Sequence, residues 1–228
     1  MKLHELRLML LFEQEPSLRA SIRELSHRAG LNYRSAYETA TRFASEGVLS
    51  VERFGQVKAC SLNMASEGAV ASLTEASLAR WLLALGKGAL AEGLGQAKPR
   101  AQAELFTAIA RRAAEETGAL CLLLTWPRPS GASSKGNPLP ARDSACGLIA
   151  VASNGSKEEV RRSLAAIVAG SGTVLAPQVE VVGPEAFPAC LLAGDPPSTI
   201  RNSLAWGSHW LVLMGHERFW RMMGVRLA

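Results

Sequence analysis

Residues 21–62 read SIRELSHRAGLNYRSAYETATRFASEGVLSVERFGQVKACSL, and they decide the fold that we expect for the first part of the chain. Ser21 opens a Ser-x-x-Glu capping box, in which two side chains satisfy free backbone amides at the start of a helix. Gly30 supplies the turn that ends this helix. Asn32 then caps a second helix, which is predicted to run to about Glu46.

The second predicted helix is amphipathic. Ala36, Ala40 and Phe43 recur at helical spacing and are expected to face a core. The opposite face carries side chains that can reach base edges or phosphates, namely Arg34, Ser35, Tyr37, Glu38, Thr41 and Arg42. A helix of this kind can pack on its own domain with one face and bind a nucleic acid with the other.

Two β-like runs, Val48–Val51 and Val57–Leu62, follow this helix and are joined by a tip at Phe54-Gly55-Gln56. The order helix, turn, helix, hairpin resembles the winged helix-turn-helix regulators of archaea and bacteria over about residues 2–63. The most specific part of the resemblance is residues 36–49. It implies that the second helix enters the major groove of double-stranded DNA and that the hairpin touches the flanking backbone or minor groove.

The resemblance also implies a set of contact residues, in which Ser21 and Arg23 fix the register on a phosphate. The complete set of expected DNA-binding residues is Ser21, Arg23, Asn32, Arg34, Ser35, Tyr37, Glu38, Arg42, Arg53, Gln56 and Lys58. Winged helices also serve as protein-interaction modules and as enzyme subdomains, so these two alternatives stay open.

The charge of the chain supports a nucleic-acid partner only weakly. The net charge is +5 and the isoelectric point is about 9.3, a mild bias compared with the dense cationic stripe of a non-specific DNA coater. Between Ser17 and Asn63, seven Lys and Arg residues stand against four Glu residues. We expect a homodimer, because a second copy doubles the phosphate contacts and reads a second half-site.

The cysteines and apolar runs indicate the compartment. Cys60, Cys121, Cys146 and Cys190 are scattered without a Cys-x-x-Cys pair, so we expect them to be small buried residues in a reducing cytoplasm. The longest apolar run, residues 119–126, is far shorter than the ~20 residues of a membrane span. The N-terminus lacks the pattern of a signal peptide. A cytoplasmic protein without a membrane partner is therefore expected.

Residues outside the hairpin complete the predicted organisation. The first helix is predicted at Lys2–Glu13, with an apolar stripe of Leu3, Leu6, Leu10 and Leu11. An alanine-rich helix from Ser66 to about Leu85 is a candidate dimer helix, or else packs on its own domain, and a glycine-rich hinge follows it. The predicted divisions are a DNA-binding domain at 1–63, this helix and hinge at 64–99, and a second domain at 100–228.

The second domain alternates helices and strands. We expect an α+β chain, in which the winged helix-turn-helix domain precedes an α/β domain with a small mixed sheet. The order resembles the minimal nucleotidyltransferase fold over about residues 100–223. Two features carry the resemblance: a strand, loop and apolar second strand, and the ending Trp210-Leu211-Val212-Leu213-Met214-Gly215-His216-Glu217-Arg218-Phe219.

The chemistry of that family needs a Gly-Ser turn for phosphates and an Asp-x-Asp pair for two magnesium ions. The first turn here reads Thr125-Trp126-Pro127-Arg128-Pro129, with proline in place of amide donors. The second strand opens with Ser144-Ala145-Cys146-Gly147, and neither Ala145 nor Gly147 can bind a metal. Asp143 and Glu180 are isolated carboxylates. We expect no catalysis and no metal, and a body that pairs subunits or senses a small-molecule or protein effector.

Three further constellations have an ordinary structural explanation beside a functional one. The turn at residues 153–156 can hold an anion or simply begin a helix. His209 and His216 lack a third metal ligand and are expected to have surface or capping roles. The aromatic side chains near the C-terminus either line a pocket or pack in a core; they are Trp206, Trp210, Phe219 and Trp220.

We therefore expect a sequence-specific DNA-binding protein, a regulator of transcription that needs no cofactor and is not an enzyme. One alternative is a divergent nucleotidyltransferase or a toxin–antitoxin component. Another is a DNA-organising or segregation protein, which would need the same DNA contacts.

Overall fold

A computed structural model gives the fold of most of the chain. It describes residues 1–54, 57–87, 99–126, 147–153, 155–171, 177–187 and 209–227. Over these ranges the protein is mixed α+β, with seven helices and two small sheets. The expected α+β class is confirmed. The chain divides into two compact units, the first formed by Met1–Arg80 with His216–Ala228 and the second by Trp81–Gly215.

The first unit contains a helical part and a small antiparallel sheet. Its elements are α1 (Leu3–Gln14), β1 (Ala20–Ser21), α2 (Ile22–Arg28), α3 (Tyr33–Ser45), β2 (Leu49–Phe54), β3 (Val57–Leu62), α4 (Glu67–Lys87) and α7 (His216–Leu227). Helix α4 continues past Arg80 into the second unit.

Local caps define α2 and α3 as the sequence predicts. The Ser21 hydroxyl accepts a hydrogen bond from the Glu24 amide at 3.2 Å, and the Asn32 side chain accepts one from the Ser35 amide at 2.8 Å. Gly30 has a φ of +61° in the turn after α2, a conformation that a side chain would strain. These short-range contacts fix where α3 begins.

The sheet of the first unit has the strand order β1-β3-β2. β2 and β3 form the predicted hairpin, antiparallel from Leu49 opposite Leu62 to Phe54 opposite Val57. β1 pairs with β3 through Ala20 opposite Cys60. This two-residue strand is an addition to the sequence prediction, and it ties the chain before α2 to the hairpin.

The buried face of α1 differs from the predicted one. The residues that α1 buries are Glu5, Leu8, Met9, Phe12 and Glu13. The prediction of an inward stripe at Leu3, Leu6, Leu10 and Leu11 is wrong, since Leu3 is 67% exposed and the other three are only partly buried. The physical reason is that the two glutamates on the buried face are paired with arginines, so that they accompany the apolar residues inward.

The carboxylate of Glu13 is fully buried in this unit. Arg80 of α4 donates to both of its oxygens from Nη1, at 3.0 and 2.7 Å. Burial raises the pKa of Glu13, and the charge and hydrogen bonds of Arg80 oppose that rise. A buried carboxylate needs such a partner, and the pair therefore connects α1 to α4.

Helix α7 belongs to the first unit, whereas the sequence prediction assigned all of residues 100–228 to the second domain. Arg221 donates to both carboxylate oxygens of Glu67 at 2.6 and 2.8 Å. A side chain at Gly224 would meet the Met64 carbonyl oxygen at 2.8 Å, so the two backbones approach closely there. Residues 88–98 of the predicted hinge lie outside the described residues.

The second unit is a mixed sheet with helices. Its elements after the end of α4 are α5 (Pro99–Glu116), β4 (Cys121–Trp126), β5 (Gly147–Val151), α6 (Lys157–Gly170), β6 (Gln178–Val182) and β7 (His209–Met214). The strand order is β6-β5-β4-β7. β4 is antiparallel to β5 and to β7, whereas β5 and β6 are parallel. The small mixed sheet expected from the alternation of elements is therefore present.

The core of the second unit lies between α5, α6 and one face of the sheet. Phe106 of α5 and Leu164 of α6 are buried in one cluster with Leu122, Leu148 and other strand residues. Side chains on the opposite face, such as Leu123, are fully buried as well. Burial on both faces explains why these strands are continuous apolar runs without alternation. Among the described helices, none has both the length and the apolarity to cross a membrane.

Gly215 lies at a close backbone approach and provides a stability test for the second unit. Its φ is +72°, and an added Cβ would meet the Leu120 carbonyl oxygen and lie 2.8 Å from the Cys121 Cα. We expect Gly215→Ala to destabilise the unit by roughly 3 kcal/mol, because the methyl group meets backbone atoms in addition to the positive-φ strain. Chemical unfolding of purified protein measures this loss.

The control variant is Gly118→Ala in the same unit. Gly118 has a φ of +64°, but an added Cβ there has no heavy atom within 4 Å. The conformational strain alone then predicts a loss of about 1 kcal/mol. Equal losses for the two variants would show that the close approach at Gly215 is unimportant.

Candidate nucleic-acid interface

Helix α3 has one buried and one exposed face, as its pattern predicts. The buried residues are Ala36, Thr39, Ala40 and Phe43. The exposed face, called the α3 face below, consists of Tyr33, Arg34, Tyr37, Glu38 and Thr41. The inner face holds the helix in the core of the first unit, so the α3 face is presented on a fixed backbone.

Arg34 and Glu38 form an ion pair on the α3 face. The Arg34 Nε atom lies 2.8 Å from the Glu38 Oε1 atom, one helical turn away. This hydrogen bond, with the charge of Glu38, raises the pKa of Arg34. The two side chains are 89% and 63% exposed, and an ion pair in water contributes little. Each side chain can therefore leave this ion pair and bind an external partner with a small loss of free energy.

Two tyrosines lie beside this pair. Tyr33 is 56% exposed and Tyr37 is 44% exposed, and their ring centroids are 6.1 Å apart with an interplanar angle of 32°. Tyr37 belongs to the predicted set, whereas Tyr33 does not. The signal for Tyr33 was the spacing of two aromatic residues four positions apart, which places them on one helix face.

Arg42, also in the predicted set, is turned towards α1. Its Nη2 atom lies 2.8 Å from the Glu5 Oε1 atom, and its Nε atom lies 3.6 Å from Glu46. The guanidinium carbon is 5.2 Å from the centroid of the Phe43 ring. The charge of Arg42 is therefore used within the fold, at the end of α3 that lies away from Tyr33.

The carboxylate of Glu5 is held ionised by its neighbours. Burial raises the pKa of Glu5, but the Lys2 backbone amide and the Arg42 guanidinium more than offset burial, so that the pKa is lowered overall. The Lys2 amide donates to the Glu5 Oε2 atom at 2.9 Å. Because Glu5 is buried, with 5% of its area exposed, its ion pair with Arg42 connects α1 to α3.

The hairpin brings two of the predicted cations together. Arg53 of β2 is directly opposite Lys58 of β3, and both side chains are exposed. Cross-strand neighbours in a hairpin point to the same face. Gln56, the third predicted hairpin residue, lies outside the described residues. The hairpin therefore presents a pair of positive charges near its tip.

The remaining predicted residues lie at the starts of α2 and α3. The side chains of Ser21 and Asn32 are used as helix caps, and Ser35 donates its backbone amide to one of them. Arg23, in the first turn of α2, is exposed. Ser21 and Asn32 therefore position the helices, while Arg23 has its charge in solvent.

Only some of the residues at the predicted turn after β4 and at the start of β5 are described. Gly147 is the first residue of β5 and pairs with Thr125. Pro127, Pro129, Asp143 and Ala145 lie outside the described residues. In the part of the chain that the structure describes, no group of three His, Cys, Asp or Glu side chains is placed to hold a metal ion.

Glu180 is the described carboxylate of the predicted pair of isolated acids. It lies in β6 and is half-buried, and burial raises its pKa while Arg161 opposes this rise. Its strand pairs with β5 at Ile149.

The two histidines lie in different units. His209 opens β7, and His216 opens α7. The His216 Nδ1 atom is 3.0 Å from the hydroxyl of the buried Ser77, and burial lowers the pKa of His216 to about 4. His216 is therefore neutral at pH 7 and contributes to the interior of the first unit.

The aromatic residues near the C-terminus are also divided between the two units. Phe219 and Trp220 are fully buried in the first unit and contact each other edge to face, with centroids 4.7 Å apart. Trp210 lies in β7 of the second unit, and Trp206 is outside the described residues. Phe219 and Trp220 have the core-packing role. Cys60 and Cys121 are buried thiols, and Cys146 and Cys190 lie outside the described residues.

Comparisons with protein-family models, with curated proteins and with solved structures give no significant match for this chain. The residues of α3 and of the hairpin are therefore the basis on which a function can be proposed.

The Glu5–Arg42 pair predicts a pH-dependent stability. A carboxylate whose pKa is lowered by folding stabilises the protein above its ordinary pKa of about 4.5, and the gain is lost as the pH falls through the folded value. We expect Glu5→Gln to cost about 1–2 kcal/mol at pH 7, because it removes the charge that pairs with the half-exposed Arg42. The difference from the parent protein should narrow as the pH falls below 4.5 and close once the pH is below the lowered pKa of the folded state.

Unfolding by urea at a series of pH values measures this difference. Glu46→Gln is the control, because Glu46 faces the same arginine at 3.6 Å with a 49% exposed side chain. It should change stability little at any pH. A penalty for Glu5→Gln that is the same at pH 3 and pH 7 would contradict the pairing.

Proposed function

We propose that the first unit binds double-stranded DNA sequence-specifically and that the chain acts as a regulator of transcription. The observation that carries this proposal is the α3 face, where an arginine, a carboxylate and two tyrosines are exposed on a helix whose other side is buried. In this proposal α2, α3 and the β1-β3-β2 sheet form a winged helix-turn-helix, and α3 is its recognition helix.

The dimensions of α3 suit the major groove. Its 13 residues span about 20 Å, and the major groove, about 12 Å wide, admits a helix. Arg34 can donate to guanine, and Glu38 can accept from the amino group of cytosine. In water these two side chains satisfy each other, and in the groove each would bind a base instead.

The cations around α3 supply contacts to phosphates. Arg53 and Lys58 on the hairpin and Arg23 on α2 are exposed. In this proposal they fix the position of the first unit on the backbone, and they carry no sequence information. Arg42 stabilises the fold through Glu5, so the reading of guanine falls to Arg34.

The second unit is proposed to pair subunits or to sense an effector, without catalysis. Gly147 has no side chain to bind a metal at the opening of β5. Pairing of two copies would double the small number of phosphate contacts of one first unit. The exposed leucines of α4 at Leu82 and Leu83, 59% and 44% exposed, favour a role of that helix in the pairing.

Binding by this surface predicts a steep dependence on salt. A duplex selected from a random pool by the full chain should bind with a log–log slope of about −4 to −7, because a dimer with a few phosphate contacts per subunit releases that many counterions. Fluorescence anisotropy at KCl concentrations from about 50 to about 300 mM measures the slope. A flat response, or no selected duplex, would refute DNA binding.

Two variants separate reading from positioning. Arg34→Ala should weaken the preferred duplex by about 1–3 kcal/mol and relax the preference at one base pair, whereas Lys58→Ala should weaken all duplexes alike. Competition across a panel of single-base changes distinguishes the two patterns. Identical patterns for both variants would show that α3 is not the reading helix.

The matched control for Arg34→Ala is Arg112→Ala. Arg112 forms the same type of exposed pair with Glu116, at 2.8 Å and four residues apart, but it lies on α5 in the second unit. It removes the same charge from the chain, so it should leave binding unchanged within the small effect of net charge.

A further inference from the structure

The tyrosine pair of α3 forms an exposed aromatic surface. Tyr33 and Tyr37 expose 56% and 44% of their area, and their rings are one helical turn apart. The core side of the same helix is formed by Ala36, Ala40 and Phe43, which are buried. Two neighbouring rings left in water on one face are typical of a contact surface, because folding gains little from them.

The rings are held in a defined position. The Asn32 side chain accepts the Ser35 amide at 2.8 Å and fixes the start of α3 just before Tyr33. Ala36, Ala40 and Phe43 are buried on the opposite side, which leaves the two rings on the exposed side of the helix. A tyrosine has few rotatable bonds, so a ring on a rigid helix loses little entropy when a partner binds.

The hydrogen-bonding groups beside the pair suit DNA bases as its occupant, and the charge of the segment adds a small positive bias. Arg34 lies in the same helical turn, and the segment from Ser17 to Asn63 carries seven Lys and Arg residues against four Glu residues. The only apolar group that base pairs present in the major groove is the C5-methyl group of thymine. Arg34 can donate to guanine and Glu38 can accept from cytosine, and the adjacent tyrosine rings offer an apolar surface to the methyl group of thymine.

We propose that Tyr33 and Tyr37 recognise thymine through its C5-methyl group and thereby determine part of the sequence preference. This inference rests on the proposed function. It assigns Tyr33, which the sequence analysis did not select, to the DNA-binding surface. The contact is made by the ring and does not need the phenol hydroxyl.

The test uses the full chain and two versions of one duplex. The duplex is selected from a random pool made with thymine, and its partner has deoxyuracil in place of every thymine, which removes the methyl groups and keeps all base pairs. We expect the deoxyuracil version to bind about fourfold more weakly for each methyl group contacted. Replacing thymines singly then locates the contact.

Four variants connect the effect to the rings. The measured quantity is the ratio of the dissociation constants of the deoxyuracil and thymine duplexes. This ratio should fall towards one in Tyr33→Ala and in Tyr37→Ala. It should be retained in Tyr33→Phe and in Tyr37→Phe. Arg34→Ala should weaken both versions by the same factor and leave the ratio intact. Sedimentation of each variant shows whether the pair instead contacts a second copy of the chain.

The outcomes distinguish this inference from the proposed function. Equal binding of the two versions by the parent protein overturns the inference, while the binding itself supports the proposed function. The inference is also overturned if both alanine variants keep the ratio of dissociation constants of the parent protein. Loss of the dimer in a Tyr→Ala variant with an unchanged ratio overturns it as well. If no duplex is selected from the pool, the proposed function is refuted and the inference with it.

Discussion

Two carboxylates buried on one helix determine how the first unit is assembled. Glu5 and Glu13 both lie on the inward side of α1, where an unpaired charge would be strongly destabilising. Arg42 of α3 pairs with the first, and Arg80 of α4 pairs with the second. The position of α1 between these two helices is therefore set by charge pairing as well as by apolar packing. A helix rotation that buried other residues would leave both arginines without these partners.

The same constraint gives the arginines of α3 different roles. Arg42 is committed to a partner in the interior, whereas Arg34 has an 89% exposed side chain and a partner on its own helix. A surface that binds a polyanion needs cations that can leave their intramolecular partners at little cost. An exposed pair one turn apart meets this condition, and a pair with a buried carboxylate does not. The end of α3 near Tyr33 therefore has the properties that such a surface needs, whereas Arg42 at the other end stabilises the contact with α1.

Short-range features were predictable from the sequence, and long-range ones were not. The bounds of α2 and α3 follow from caps and glycines within a few residues, and these predictions agree with the structure. The hairpin was predicted as well, but its first strand runs to Phe54, beyond the predicted end at Val51. The buried face of α1 depends on Arg42 and Arg80, which are distant in the chain, so periodicity alone selected the wrong stripe. The two-residue β1 has no pattern of its own. In the candidate site, Arg42 was selected for its residue type, and its pairing with the distant Glu5 could not be predicted from the sequence. Tyr33 was not selected, because it directly follows the cap.

Helix α7 belongs to the first unit, but it is made only after residues 81–215 have been translated. At about 5–20 residues per second, the first unit waits on the order of ten seconds for this helix. During that interval the carbonyl of Met64 and the carboxylate of Glu67 lack the contacts with Gly224 and Arg221. The second unit, whose strands and helices are all present by residue 215, has time to fold first. The first unit is therefore completed only after the second unit has been synthesised.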